Sequence, residues 1–107
     1  ASKVRRYLME NGMRITCEDI AEDDGFYYVV IVAEQGEMEL TEDEIAFGPY
    51  LLHNGHPLYK DMLSLKRRDL EQLLISLSEE QTEELIKRKN QLNDEIAQIS
   101  RVIEQLG

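Results

Sequence analysis

The chain of 107 residues carries 12 basic and 22 acidic side chains, which gives a formal net charge of −10. This balance argues against a protein that wraps nucleic acid or an anionic membrane over its whole surface. The single cysteine, Cys17, excludes an internal disulfide, and no apolar run approaches the roughly 20 residues that span a bilayer. We therefore expect a cytoplasmic protein with no membrane partner. Its acidity is concentrated in residues 1–56, with four basic against twelve acidic groups, whereas residues 57–107 carry eight against ten.

The first predicted element is a short amphipathic helix. Val4, Tyr7 and Leu8 recur at a spacing of three and four residues and so share one helical face. Gly12 then supplies a C-terminal stop. The pattern predicts a helix over residues 2–11 whose apolar face contains these three side chains.

A β-hairpin is predicted next. Ile15 and Cys17 alternate with polar side chains over residues 13–21, as is typical of a strand with one wet face. The Asp-Gly pair in residues 22–25 favours a tight turn, because glycine adopts positive φ without a steric penalty. The return strand, residues 26–33, has no polar interruption and therefore needs cover on both faces. Since a lone hairpin is only marginally stable, we expect further strands of a larger sheet upstream; the alternatives are cover by the coiled coil described below or by a second copy of the chain.

The segment after the hairpin contains strong helix signals. A capping box in residues 41–44 opens a short helical turn, which stops at Gly48 and Pro49. Residues 50–56 then lead through a loop to Pro57, which takes the first position of the next helix.

Residues 57–107 are predicted to form two long helices that fold back on each other as an antiparallel coiled coil. A second capping box in residues 78–81 ends the first helix near Leu77 and starts the second immediately, and so short a connection makes the helices antiparallel neighbours. Lys66 and Lys89 are the only charges on the seam. The apolar seam positions alternate in spacings of three and four residues, and they are Tyr59, Leu63, Leu70, Leu73, Leu77, Leu85, Leu92, Ile96, Ile99, Ile103 and Leu106.

The predicted fold class is therefore α+β. It consists of a helix and hairpin in residues 1–40, a connecting loop with a short helical turn in residues 41–56, and the coiled coil in residues 57–107. The sequence lacks a glycine-rich phosphate loop and a Ser, His and Asp signature. His53 and His56 have a spacing that could serve a metal, but without a third His or Cys nearby we interpret them as part of a turn. We predict no catalytic and no metal-binding residues.

Two short basic runs lie within the long helices. If the helices fold about Ser78, each residue of one run faces a residue of the other, and six positive charges share one level of the hairpin. Like charges on a seam destabilise it, which suggests a role in binding; the alternative is an ordinary solvated surface. The residues concerned are Lys66, Arg67, Arg68, Lys87, Arg88 and Lys89.

A helix, a strand, an Asp-Gly turn and a buried strand, in this order, commonly end a doubly wound methyltransferase domain. The strings that make the comparison specific are Arg5-Arg6-Tyr7-Leu8, Glu18-Asp19-Ile20, Asp24-Gly25-Phe26-Tyr27-Tyr28-Val29-Val30, Gly48-Pro49-Tyr50-Leu51 and Pro57-Leu58-Tyr59-Lys60. Together they resemble the C-terminal portion of the bacterial tRNA adenine-N1 methyltransferase family that modifies adenine 22. The resemblance covers nearly all of the chain.

The resemblance implies a C-terminal fragment of an S-adenosylmethionine-dependent enzyme, with the edge of a Rossmann-like sheet followed by the coiled coil. The family's cofactor loop and catalytic motif would precede Ala1, so no catalytic or cofactor-binding residue is carried over, and the chain alone is expected to bind no S-adenosylmethionine. The resemblance also implies tRNA as a partner, with phosphates held by the six basic residues. The alternative is a self-sufficient coiled-coil module for protein interaction, which would self-associate through the hairpin.

Overall fold

The computed structural model describes residues 1–77 and 79–106. They fall into two compact units, Ala1–Tyr59 and Lys60–Gly107. The elements confirm the α+β class, with one two-stranded antiparallel sheet among the described residues. In chain order they are α1 (Ser2–Glu10), β1 (Met13–Asp23), β2 (Phe26–Gln35), α2 (Glu42–Phe47), α3 (Pro49–Asn54), α4 (Tyr59–Ser76) and α5 (Glu83–Leu106).

The predicted β-hairpin is confirmed, but β1 contains an irregularity that the alternation did not indicate. Ile15 pairs with Ala33 and Cys17 with Val32, so Thr16 is an extra residue, a β-bulge. A bulge shifts the alternation by one residue, which moves every later side chain to the opposite face. Cys17 is therefore exposed, contrary to the prediction, and the inner face beyond the bulge belongs to residues 18 and 20.

Helix α1 buries a different face from the predicted one. Val4 and Tyr7 are exposed, whereas the guanidinium of Arg5 is buried. The prediction was wrong because it ranked positions by apolarity, and an arginine is buried only where the fold supplies partners for its charge and its donors. Leu8 is half-buried, on the same side as Arg5.

Strand β2 has one half-buried face and one exposed apolar face. The exposed side chains are between 46% and 66% accessible. They alternate along the strand, as the twofold period of a β-strand requires, and are Phe26, Tyr28, Val30 and Val32. The cover on both faces that the sequence predicted is thus missing on this side, and we call these four side chains the apolar β2 face.

Two short helices follow the sheet. The predicted capping box of α2 is confirmed: Thr41 Oγ1 accepts from the Glu44 N–H at 3.1 Å, and Glu44 Oε1 accepts from the Thr41 N–H at 2.9 Å. Residues 49–54, which were predicted to lead into a loop, instead form α3. Pro49 at its first position and Gly55 in the left-handed conformation at its end are suitable terminal residues for so short a helix.

Helices α4 and α5 begin later than predicted. Helix α4 starts at Tyr59 rather than Pro57, and α5 starts at Glu83 rather than directly after Leu77. Ser78, the predicted cap of the second helix, lies outside the described residues. Thr82 caps α5 instead, since its Oγ1 accepts from the Leu85 N–H at 3.2 Å.

Burial along the two long helices is uneven. Leu63, Leu92 and Ile99 are buried, whereas Leu73 and Ile86, nearer the connection between the helices, are exposed. A packed seam over the full length is therefore not observed, and the antiparallel coiled coil stays a prediction. Among the described residues, none of the helices has the length and apolarity needed to cross a membrane.

Candidate nucleic-acid interface

The six basic side chains predicted to bind RNA lie in the middle of α4 and in the first half of α5. Four of them are exposed, and the other two, Arg67 and Lys89, are half-buried. The exposed ones are Lys66, Arg68, Lys87 and Arg88.

Arg67 is engaged within the protein. Its Nη1 donates to Ser100 Oγ at 3.1 Å, and its Nε lies 3.6 Å from Glu71 Oε1, one helical turn away. With a neutral acceptor and a carboxylate already in contact, its guanidinium is less available to a phosphate than those of its neighbours. Its contact with Ser100 also ties α4 to α5.

This contact contradicts the predicted register of the two helices. In the predicted register, Arg67 lies opposite Arg88. Ser100, its observed partner, lies about 18 Å from Arg88 along the axis of α5, for a rise of about 1.5 Å per residue. An arginine side chain cannot bridge that distance. The six charges therefore do not share one level. The prediction was wrong because it placed the turn at Ser78, whereas α5 begins only at Glu83.

The remaining five basic side chains form no ion pair with any residue in the ranges 1–77 and 79–106. In the part of the chain that the structure describes, no carboxylate oxygen lies within 4.0 Å of the charged nitrogens of Lys66, Arg68, Lys87, Arg88 or Lys89. Their positive charge is therefore not neutralised by a local partner. Chemically, such a group can hold phosphate oxygens through charge-assisted hydrogen bonds.

A second polar feature lies in the first unit and is fully buried. Arg5 Nε donates to Glu18 Oε2 at 2.7 Å, and the two side chains are 2% and 0% exposed. The β-bulge places Glu18 inside, because without it this position would face solvent. Removing two charges from water is costly, so such a pair requires further hydrogen bonds to its remaining atoms.

Glu18 finds these bonds at the start of α3. Its Oε1 accepts from the backbone N–H of Tyr50 at 2.9 Å and from that of Leu51 at 3.3 Å. Helix α3 has no capping side chain of its own. A carboxylate from β1 therefore satisfies the unpaired donors at its N-terminus, where negative charge is also favoured by the helix dipole.

The end of α2 is capped by two other side chains. Arg5 Nη1 donates to the carbonyl oxygens of Ile45 and Ala46 at 3.1 and 3.4 Å. The hydroxyl of Tyr59, the first residue of α4, donates to the carbonyl of Phe47 at 2.5 Å. Three consecutive carbonyls at a helix C-terminus thus find partners. Burial raises the pKa of the Tyr59 hydroxyl, which keeps it a neutral donor.

Gly48 lies where the two short helices meet. Its φ of 92° disfavours any other residue, and a Cβ there would lie 2.6 and 2.7 Å from the Glu18 carboxylate oxygens and 2.8 Å from Arg5 Nη2. Only glycine lets the backbone approach the ion pair this closely. We call Arg5, Glu18, Gly48 and Tyr59 the buried polar cluster.

The two histidines contact different carboxylates. His56 Nε2 lies 2.6 Å from Asp19 Oδ1, and its Nδ1 accepts from the Leu58 N–H at 3.1 Å, so the neutral ring carries its proton on Nε2. The Ile20 N–H and then His56 lower the pKa of Asp19. His53 Nε2 lies 3.2 Å from a Glu44 oxygen.

Glu44 accepts a hydrogen bond from the Thr41 N–H, which is the main cause of its lowered pKa. His53 therefore contacts the carboxylate of the α2 capping box, whereas His56 connects Asp19 of β1 to the backbone just before α4. Across the described ranges, no three His, Cys, Asp or Glu side chains are grouped as metal ligands.

Sequence reasoning missed the buried polar cluster, although its residues lie in the strings that carried the family resemblance. Arg5, Glu18 and Gly48 each belong to a different string, as does Tyr59. The structure brings these strings together around a single ion pair. A usable signal was present in Glu18, a charged residue inside strand β1 and two positions before the apolar Ile20.

Comparison with known proteins gives one family. The sequence model of the family described as tRNA (adenine(22)-N(1))-methyltransferase matches residues 1–101. A candidate tRNA methyltransferase from Mycoplasma pneumoniae is 33% identical over 54 residues, which are 48% of this chain and 25% of that relative.

Solved structures share the fold. Sp1610 from Streptococcus pneumoniae, a candidate tRNA (m1A22) methyltransferase, is 29% identical with a TM-score of 0.83, over 95% of this chain and 44% of that chain. Its complex with S-adenosyl-L-methionine gives 26% identity and a TM-score of 0.79, over 95% and 42%. TrmK of M. capricolum, solved with S-adenosyl-homocysteine, shares the fold at 20% identity and a TM-score of 0.81, over 100% and 46%. The chain thus spans less than half the length of these solved relatives.

Proposed function

Because the chain belongs to the tRNA (adenine(22)-N(1))-methyltransferase family, we propose that these residues are the C-terminal part of an S-adenosylmethionine-dependent enzyme that methylates N1 of an adenine in tRNA. The observation that carries the proposal is the family match over residues 1–101 of a chain that spans only 44% of a solved relative. In the reaction, the methyl group passes from the sulfonium of S-adenosylmethionine to the adenine nitrogen and leaves S-adenosylhomocysteine. The enzyme would act in the cytoplasm.

The first unit would form the edge of a Rossmann-like catalytic sheet. The apolar β2 face supports this, because its four side chains are the kind of surface that a further layer of a domain covers. The proposed division of the chain is the sheet edge in residues 1–40, a connection in residues 41–56 and a helical arm in residues 57–107. S-adenosylmethionine would bind upstream residues, as the glycine-rich turn that such sites require is missing from the 107 residues.

The helical arm would be an antiparallel coiled coil with a register shifted from the predicted one. Pairing Leu63 with Ile99 and Leu70 with Leu92 agrees with the contact between Arg67 and Ser100, because helical side chains lean toward the N-terminus of their own helix. Leu63, Leu92 and Ile99 are accordingly buried.

In this register the two basic runs lie at different levels of the arm, separated by about 10 Å at about 1.5 Å per residue. Their charges would hold phosphates at successive positions along the tRNA backbone, which positions RNA without reading its sequence. Lys66, Arg68, Lys87 and Arg88 are the main contacts, since they are exposed and form no ion pair within the described part of the chain.

The first test concerns the enzyme as a whole. The open reading frame upstream of Ala1 should encode a strand followed by a glycine-rich turn, and the complete protein should transfer a labelled methyl group from S-adenosylmethionine to N1 of adenine 22 in a tRNA transcript. A transcript with guanine at that position is the control. An unrelated upstream sequence without methylation would refute the proposal and favour the protein-interaction module.

The second test concerns the arm. Lys87→Gln with Arg88→Gln should weaken tRNA binding by the complete protein. In a plot of the logarithm of the binding constant against the logarithm of the salt concentration, the magnitude of the slope should fall by roughly 0.7 to 0.9 for each phosphate that the variant no longer binds. The matched control is Lys3→Gln with Arg6→Gln, which changes the net charge equally at two exposed positions on α1, outside the arm. Equally weakened binding in both double variants would show that only total charge matters, and would contradict a binding surface on the arm.

A further inference from the structure

The buried polar cluster connects the start of α4 to strand β1 through an unbroken series of contacts. Glu18 of β1 bonds Arg5, Arg5 bonds the carbonyls at the end of α2, and the last carbonyl of α2 bonds the hydroxyl of Tyr59, the first residue of α4. Each contact involves buried atoms. The beginning of the helix that carries the first basic run is therefore fixed by side chains of the sheet unit.

Stability alone is a weak reason for this arrangement. A buried ion pair is often no better for stability than apolar side chains of the same volume, because desolvation offsets the attraction between the charges. Buried polar groups do impose a unique geometry, since each hydrogen bond breaks when its partner shifts. In this cluster the carboxylate and the guanidinium approach the Gly48 backbone closely at the point where α2 and α3 meet.

We propose that Arg5, Glu18 and Tyr59 are positioning residues for the tRNA substrate: by holding the first residue of α4 to strand β1, they couple tRNA binding on α4 and α5 to the catalytic sheet. The inference rests on the proposed function. Holding the first residue of α4 in place before binding reduces the ordering that tRNA must impose, so the cluster contributes to the affinity for productive tRNA. In this role the three side chains act through the position of α4 and not directly on the reacting atoms.

Two variants of the complete protein test this role at separate contacts. Arg5→Lys keeps the positive charge but cannot bond Glu18 and two carbonyls together, because lysine lacks the forked donors of arginine. Tyr59→Phe removes only the hydrogen bond to Phe47. Arg6→Gln is the control, since Arg6 is the neighbour of Arg5 and forms an exposed ion pair with Glu42. Circular dichroism selects folded variants, and kcat, KM for tRNA and Kd for S-adenosylmethionine are then measured.

We expect Arg5→Lys to raise KM for tRNA by about tenfold and Tyr59→Phe by about threefold, with kcat and cofactor Kd within about twofold of wild type. A purely structural role would instead reduce the folded fraction, which lowers apparent kcat and leaves KM unchanged. If Arg5→Lys does not fold, the test rests on kcat, KM for tRNA and cofactor Kd of Tyr59→Phe. An unchanged KM in the folded variants overturns the inference, whereas an inactive wild-type protein overturns the proposed function instead.

Discussion

The Nε of Arg5 and the Oε2 of Glu18 lie 2.7 Å apart in the interior of the first unit. Replacing one partner leaves the other charge buried without compensation. We expect Glu18→Gln to lower the free energy of unfolding by about 3 to 5 kcal/mol, as measured by urea unfolding followed by circular dichroism.

Arg6→Gln serves as the control for this destabilisation, because the ion pair of Arg6 with Glu42 is exposed. Exposed pairs contribute about 0 to 1 kcal/mol, since water already solvates both charges. Similar decreases in the free energy of unfolding of the two variants would show that the buried pair contributes no more to stability than the exposed pair.

Gly48 provides a second prediction. Gly48→Ala should cost more than about 2 kcal/mol, because the positive φ strains an alanine and its Cβ would meet both members of the ion pair. Gly55→Ala is the matched control: its φ is also positive, at 66°, but a Cβ there has no atom within 4 Å. The control should cost only about 1 to 2 kcal/mol, for the strain alone. Equal thermal destabilisation in both variants would contradict the close approach of the cluster to Gly48.

The Tyr59 hydroxyl should make stability depend on pH in the alkaline range. Burial raises its pKa in the folded state, so the unfolded state ionises first, near the ordinary tyrosine value of about 10. The contribution is fully present below that pH and is lost as the pH rises through the folded-state pKa. Tyr59→Phe should remove this part of the alkaline slope.

At neutral pH the same variant should lose about 1 to 3 kcal/mol, because the Phe47 carbonyl is left buried without a partner. Urea unfolding at a series of pH values between about 8 and 11, on either side of the ordinary tyrosine pKa, measures both effects. Parallel pH profiles of the wild type and the variant would refute the assignment.

Local signals in the sequence predicted most elements of the fold, and the failures have a common cause. The Asp-Gly turn and the capping box at Thr41 act within a few residues, and both were found. Helix α3 was missed because its N-terminal donors are satisfied by Glu18, which is distant in sequence. The β-bulge at Thr16 was missed because alternation alone cannot show where one residue is inserted.

The candidate site shows the same division. The basic residues were found because charge is visible in the sequence, but the helical pattern placed Lys66 on the seam, whereas this side chain is exposed. Their register could not be predicted, since it depends on where α5 begins, and Thr82 caps that helix directly before Glu83. The burial of Arg5 could not be predicted either, because it depends on β1 and α2, both distant in sequence, supplying partners for one guanidinium.

The apolar β2 face leads to the last prediction. Four exposed apolar side chains on one strand form a surface that can pack against a second copy, and an unpaired strand edge offers a template for it. We expect the 107-residue chain, prepared alone, to self-associate at concentrations that light scattering can detect. Val30→Lys should reduce this association, because a charge at the centre of the face must be desolvated on contact, while Val30 is exposed enough for the variant to fold normally. Gln35→Lys adds the same charge at an exposed position at the end of β2 and serves as the control. A wild-type chain that remains monomeric throughout, or an equal effect of both lysines, would show that the face does not mediate association.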